Sequence, residues 1–582
     1  MIYQTHFFVG KGGYDIDTAL RHSRNVPCAI PRTIELSGEF TLSEPICLDG
    51  RDDGLTLTGG KITGGAELTQ WETDPLDARF IRAKLAKGIA PRTLIINGSA
   101  KKMSVYHSDS MLECLDRPEN LTWLGSVAGG WNRALTEYEM THMHVKPEDV
   151  PPGFLPGSTE VKLYHCWDES TVPVSTYDPE NGEIGFESEL GHPAGSFNRY
   201  NYQFLNLRDG MTEPGTWYAD LDDGWVYYYP EEADGDSFTG IIPAANTLIR
   251  IDGGANITLS DIELSFSGAE RVISGLRSIN LNGAIEVWDS KNISLLNLNI
   301  HDCSGNGIKV MNSENSEISC CRITSMGAGG IFTHNCVDER ICFNHICDIG
   351  LSAYSSIGIH AGGRSMLVWV LDGKPREHGR TELRGNRIER VPYCGITCNG
   401  GPHIIEGNVL ADCMMKLNDG GAIYVSRGER TILRKNRAVG SYIGRQKKAY
   451  YFDEGGHECL FEGNESFGIE TAYGDHLCEK MVIRKNHFEC DGDFMFSFSA
   501  CKDYEIYENV IAAGNKIKIE VELEEPAADK SADYIRQYLD DHFRFYDNII
   551  IAKEENAFVT AYDEKFEYNI EKEGAANGKT ED

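Results

Sequence analysis

One residue setting recurs through the second half of this chain, and few folds can use it repeatedly. It is a position immediately before an x-apolar pair, filled most often by asparagine. The copies begin at Leu298 (LNI), Cys321 (CRI), Asn344 (NHI), Asn386 (NRI) and Asn408 (NVL). They continue at Asn436 (NRA), Asn464 (NES), Asn486 (NHF), Asn509 (NVI) and Asn548 (NII). Successive gaps are 23, 23, 42, 22, 28, 28, 22, 23 and 39 residues. A base period of 22 or 23 residues suits one coil of a parallel β-helix, three short strands and their turns, with loops inserted where the gap is larger. Asparagine tolerates the left-handed conformation of a sharp turn, and its amide can bond the copies one coil above and below. Eight asparagines in register therefore predict an all-β fold, a right-handed parallel β-helix.

A second register precedes the ladder by 13 or 14 residues in most coils, in a short strand that usually starts Gly-Ile or Ala-Ile. Its copies are AIEVW at 284–288, GIKVM at 307–311, GIFTH at 330–334, GIHAG at 358–362, GITCN at 395–399 and AIYVS at 422–426. AYYFDE at 449–454 follows with a shift of one residue. Alternation then stacks Ile285, Ile308, Ile331, Ile359, Ile396 and Ile423 inside. It turns Glu286, Lys309, Phe332, His360, Thr397, Tyr424 and Tyr451 outward. Glu286 and Lys309 read as members of a solvated face. Around His360, Tyr424, Tyr451 and Asp453 functional groups are denser, and Asp453 shares the outward parity of Tyr451.

Asp419 lies in the turn LNDGG that leads into the Tyr424 strand. An aspartate before Gly-Gly is commonly a turn former, and that reading stands beside the functional one. Asp453-Glu454-Gly455-Gly456 reads either as the end of a strand or as a contributor to a calcium site, although no loop gathers the six to eight oxygens that Ca²⁺ takes. With adjacent coils about 4.8 Å apart, the Asp419 and Asp453 carboxylates are expected to approach to about 5–6 Å, near the spacing of a retaining glycosidase pair.

The rhythm also divides the chain. Residues 1–65 hold a short helix, from about Asp15 to Arg24, and strands suited to a solenoid's capped first coils. Residues 66–245 lose the period and read as an inserted β-rich, sandwich-like domain. There Trp217-Tyr218 and the aromatics from Trp225 to Pro230 read either as a sugar platform or, more simply, as the insert's core. Residues 246–570 carry the helix proper. Two long gaps hold the loop MLVWVLDGKPREHGR and a helix expected from about Ser531. Residues 571–582 form a charged tail expected to fray.

Composition narrows the function. A formal charge of −34 over 582 residues disfavours nucleic acid, anionic membranes and polyanionic sugars, and leaves neutral substrates unpenalised. The start, MIYQTHFFVGKGG, has an apolar patch too short for a signal peptide, and no run approaches a membrane span. Seventeen cysteines, including adjacent Cys320 and Cys321, suit a reducing cytoplasm, and without a CxxC pair they suggest no metal. No cofactor is expected.

LNDGGAIYV followed by YYFDEGGHECLFEGN resembles the paired signatures of β-helix glycoside hydrolases, closest to glycoside hydrolase family 141 and its relatives, which include α-L-fucosidases and xylanases. GTWYADLDDGWVYYYP resembles a motif at the end of their inserted domain. The resemblance implies a bacterial glycosidase acting on a neutral oligosaccharide, with catalytic aspartates at Asp419 and Asp453. It leans towards Asp453 as nucleophile and Asp419 as acid/base. His360, Tyr424, Arg427, Tyr451 and Glu454 are then expected to bind substrate hydroxyls. This chain departs from the signature in having Glu454 where a second aspartate is usual. A lyase or epimerase acting on uronates would instead want a basic outward row, where only Lys309 qualifies, with Arg427 and Arg364 nearby. A non-catalytic carbohydrate-binding β-helix is the remaining alternative.

Overall fold

The computed structural model describes residues 3–107, 110–125, 130–235, 239–276, 281–362, 380–442, 444, 446–523, 532–553, 557–561 and 564–567. Most of the loop MLVWVLDGKPREHGR, Arg364 and the tail 571–582 lie outside the described residues. The chain forms two compact units. One comprises residues 1–313, 320–332 and 347–357, and the other residues 314–319, 333–346 and 358–582.

The first unit opens with the strand His6–Val9 and the helix Ile16–Ser23, whose Asp15 cap accepts from the Thr18 N–H at 2.8 Å. The helix buries Ala19 and Leu20. Its early coils contribute parallel rungs to three sheets, and the pairing skips some two hundred residues: Leu55–Thr58 pairs with Thr258–Ser260, and Lys61–Thr63 with Glu263–Ser265. The intervening chain leaves through Gly65–Leu68 and returns through Gly240–Pro243, which pair antiparallel. It builds two largely antiparallel sheets of eight and seven strands, the latter joined by Ile273–Gly275. Each carries its own apolar cluster. One centres on Leu94, Trp217, Val226 and Tyr228, the other on Val161, Leu163, Tyr202 and Phe204. Trp217 and Tyr228 have no exposed surface and Tyr218 and Tyr227 almost none, so these aromatics are core and not a platform.

In the second unit every coil lays strands on three parallel sheets. On the sheet that carries the second register, Ile359, Ile396 and Ile423 stack in register. The stack then turns aromatic through Tyr450, Tyr473 and Phe496. All six are fully buried, and burying side chains of this size is the main stabilising term of such a coil.

The asparagine ladder is continuous from Asn344 to Asn548. Each Nδ2 donates to the Oδ1 of the next copy, for example Asn408 to Asn436 and Asn436 to Asn464, both at 2.9 Å. That same Oδ1 also accepts the backbone N–H of the preceding copy, and each Nδ2 donates a second bond to a main-chain carbonyl. The left-handed residue is not the asparagine, as its turn-forming habit suggests, but its predecessor: Phe343, Gly385, Gly407, Lys435, Gly463, Lys485, Glu508 and Asp547 all have φ between 54° and 66°. Division of labour explains this, because the preceding residue makes the bend while the asparagine amide faces inward and saturates four hydrogen bonds. Asn486→Ala is expected to strand the Asn464 amide and N–H, both bonded to its Oδ1. At about 1–3 kcal/mol per unsatisfied buried group, urea denaturation should show a loss of several kcal/mol.

Two side chains depart from the sequence expectation. Glu286 and Lys309, read as solvated, are 7% and 6% exposed. Burial is tolerated because each has partners. Glu286 accepts from the Trp288 indole and the Gly283 N–H, and the Lys309 ammonium donates to the Leu281 carbonyl. The expected helix near Ser531 is Ala532–His542. Among the described residues no helix is long and apolar enough to cross a membrane.

Candidate active site

The site residues of the second unit sit on the outward side of the strands Gly420–Ser426, Lys447–Asp453 and Thr471–His476. Register fixes their relation. Tyr424 pairs with Tyr451, Ser426 with Asp453, and Phe452 with Asp475. Ser426, Asp453 and His476 therefore end three successive rungs. After each, the chain turns through a left-handed residue, Arg427, Glu454 or Leu477.

Asp453 is held by three donors. Its Oδ2 accepts the Tyr424 hydroxyl at 2.8 Å, and its Oδ1 accepts the Glu454 N–H at 2.7 Å and lies 2.8 Å from His476 Nδ1. Burial pushes its pKa up, but the bond and charge of His476, the Tyr424 hydroxyl and the Glu454 N–H outweigh it, leaving Asp453 below the usual carboxylate range. The same pair lifts His476: the bond to Asp453 raises it, against burial, with the charges of Asp453, Asp419 and Glu454 adding.

Asp419 is both a turn former and a member of this cluster. Its φ is +56°, its N–H donates to Gln446 at 2.7 Å, and its carbonyl accepts the Tyr393 hydroxyl at 2.8 Å. The following Gly420 is required by contact, since a Cβ there would lie 2.7 Å from Cys394 Sγ and 2.8 Å from the Tyr393 ring. Burial raises the Asp419 carboxyl; the Lys448 ammonium opposes this and the charges of Asp453 and Glu454 reinforce it, for a net rise. The two carboxyls thus share one electrostatic environment and are displaced in opposite directions, the pattern that separates an acid from a base.

The other expected site residues fall into two groups. Tyr451 packs edge-to-face on Tyr424 with centroids 5.2 Å apart and carries the Lys448 ammonium 3.6 Å from its ring centre. Glu454 lies 3.6 Å from Arg427 Nε and accepts from Ser426 Oγ at 3.3 Å. These four surround Asp453 directly. His360 occupies the same outward row two rungs before Tyr424, roughly 10 Å along the sheet. It is buried, bonds Thr397 Oγ1 at 2.6 Å, and is pushed down to about 3 by burial and the neighbouring His334. It stands as a neutral imidazole.

Sequence reasoning missed His476 and Lys448. His476 belongs to TAYGDH, a coil without the Gly-Ile or Ala-Ile start on which the register was traced. The signal was the period itself, since His476 follows Asp453 by 23 residues. Among the described residues no group of three or more His, Cys, Asp or Glu side chains is placed to hold a metal. Both Asp453 oxygens already accept hydrogen bonds.

A family model for the right-handed β-helix region matches residues 238–367 and 375–524. Among solved structures, the chain superposes with a TM-score of 0.61 on a protein described as a glycoside hydrolase, at 15% identity over 91% of this chain and 100% of that one. A complex of XylC with xylose aligns over 95% of this chain and 87% of that one, at 11% identity and a TM-score of 0.43. The GH136 lacto-N-biosidase from Eubacterium ramulus aligns over 55% and 53%, at 16% identity and a TM-score of 0.32. No curated protein matches the sequence. Matched segments, parallel sheets and superposition agree that this is an all-β protein built on a right-handed parallel β-helix.

Proposed function

We propose that the chain is a glycoside hydrolase that cleaves a neutral oligosaccharide of fucoside or xyloside type with retention of configuration. The observation that carries this reading is the asymmetry of the two aspartates. Asp453 is clamped ionised by Tyr424, His476 and the Glu454 N–H, while Asp419, in the same field, is displaced towards its protonated form. An Asp453 oxygen would attack the anomeric carbon as the glycosidic bond breaks, and Asp419 would give its proton to the departing oxygen. The resulting glycosyl ester would then be opened by a water that Asp419 deprotonates. Arg427, Glu454, Tyr451 and Tyr424 supply hydroxyl partners around the pair, and His360 closes the row further along. The free cysteines, fourteen of the seventeen buried, suit a reducing compartment. A uronate-specific reading is weakened because Lys309 is buried and bonded to Leu281, and the cations beside the pair, Lys448 and Arg427, are engaged with the Tyr451 ring and Glu454.

The test is a panel of nitrophenyl glycosides with NMR of the first-formed anomer. Retention is expected; inversion, or no turnover of any neutral glycoside, would sink the reading. The pH profile of kcat/KM carries a second expectation. Its acid limb should follow protonation of Asp453, below the usual carboxylate range, and its alkaline limb the loss of the Asp419 proton, above that range. Asp419→Asn should erase the alkaline limb and hurt poor leaving groups far more than dinitrophenol.

A further inference from the structure

Four aromatic rings of the inserted region, Trp123, Trp131, Trp167 and Phe197, gather around His192. Trp123 and Trp131 face each other across an antiparallel bridge with centroids 5.1 Å apart. Phe197 lies 5.0 Å from Trp131 and 4.5 Å from Trp167. The His192 ring is 5.1–5.7 Å from all four.

A closed core is the ordinary destination for such rings, and this region's cores take Trp217, Tyr228, Tyr202 and Phe204 completely. These four instead remain partly exposed. Among the described residues the indole N–H groups of Trp123, Trp131 and Trp167 have no acceptor, and the buried His192 Nδ1 has no partner. His192 Nε2 lies 3.2 Å from Asp168 Oδ2, which fixes the ring. The backbone is also bent to close the group: Phe197 has φ +57° and ψ 21°, and Asn198 has φ +56°.

We propose that this cluster is a binding patch for a neutral glycan chain, sharing no residue with the Asp419–Asp453 site. Sugar rings stack their C–H faces on indoles, and their hydroxyls accept indole N–H bonds. The formal charge of −34 selects against an anionic ligand. The rings meet largely edge to face, at 70–90° for Trp123 against Trp131, His192 and Phe197. The patch therefore offers N–H edges as well as faces, more than a quaternary ammonium, which uses faces alone, would engage.

The experiment is affinity electrophoresis through gels containing arabinoxylan, xyloglucan, galactomannan or mixed-linkage β-glucan, with tryptophan fluorescence titration of matching hexasaccharides. Retardation in at least one gel is expected. Trp131→Ala should weaken that binding by at least about tenfold, or 1.4 kcal/mol, and Trp131→Phe, which keeps a ring but loses the N–H, by less. Both variants should melt as the parent does. Asp453→Asn should bind as the parent does, so the patch and the hydrolase reading can fail separately. No retardation in any gel, retardation unchanged by both tryptophan variants, or a fluorescence response to tetramethylammonium in place of sugars would overturn the proposal.

Discussion

Asp453→Asn is expected to lower kcat by roughly four orders of magnitude, the scale of losing one group of a concerted catalytic set, in a variant that still folds although its single amide oxygen cannot accept from all three donors. The substitution keeps the shape, and an amide oxygen can still accept the Tyr424 hydroxyl. What it removes is the negative charge that would attack the anomeric carbon and that raises the pKa of His476. Two measurements decide it: steady-state turnover of whichever nitrophenyl glycoside the parent cleaves, and thermal unfolding followed by circular dichroism. Parental kinetics in a folded variant would remove Asp453 from the mechanism. A variant that loses activity only because it unfolds would assign the residue to the turn instead.

The second large effect concerns stability. Asp475 points into the coil, where the Tyr473 and Tyr504 hydroxyls donate to its Oδ2 at 2.9 and 2.5 Å. Burial lifts it to about 7 despite those bonds, with the Asp453 charge adding to the rise. Glu339, bonded by Thr333, is likewise lifted by burial to about 7. A folded pKa above the unfolded value means that the folded chain holds the proton more tightly. The stability this brings is complete below about pH 4 and is lost as pH rises through about 7. At roughly 1.4 kcal/mol per unit, Asp475 alone accounts for about 4 kcal/mol across that window. Asp475→Asn keeps an acceptor for the tyrosines and no longer ionises, so it should be more stable than the parent at pH 8 and no more stable at pH 4. Urea midpoints at the two pH values read this directly, and parallel pH profiles for parent and variant would contradict it.

The ladder and the isoleucine stack were legible in the sequence because a coil repeats its constraints every 22 or 23 residues. Ten copies of one position average out local accident. Single-copy features were harder. The left-handed residue precedes the asparagine, and because Phe, Gly, Lys, Glu and Asp all fill it, composition gives it no signature. Burial of Glu286 and Lys309 depends on the Trp288 indole and on main-chain partners at Gly283 and Leu281, which alternation cannot foresee. His476 escaped because its coil swaps the Gly-Ile start for Thr-Ala-Tyr. In the inserted region no period exists. There the dense motif around Trp217 is core, the simpler of its two readings, while the scattered Trp123, Trp131 and Trp167 were brought together only by the fold.

In the retaining mechanism proposed, Asp453 bonds covalently to the sugar during turnover. Incubation with the 2-deoxy-2-fluoro analogue of a cleaved glycoside, followed by peptide mass spectrometry, tests it most directly. The expected result is one added fluoroglycosyl mass on the peptide containing Asp453, absent when Asp453 is asparagine. A label on another residue, or an active enzyme that is never labelled, would contradict the account.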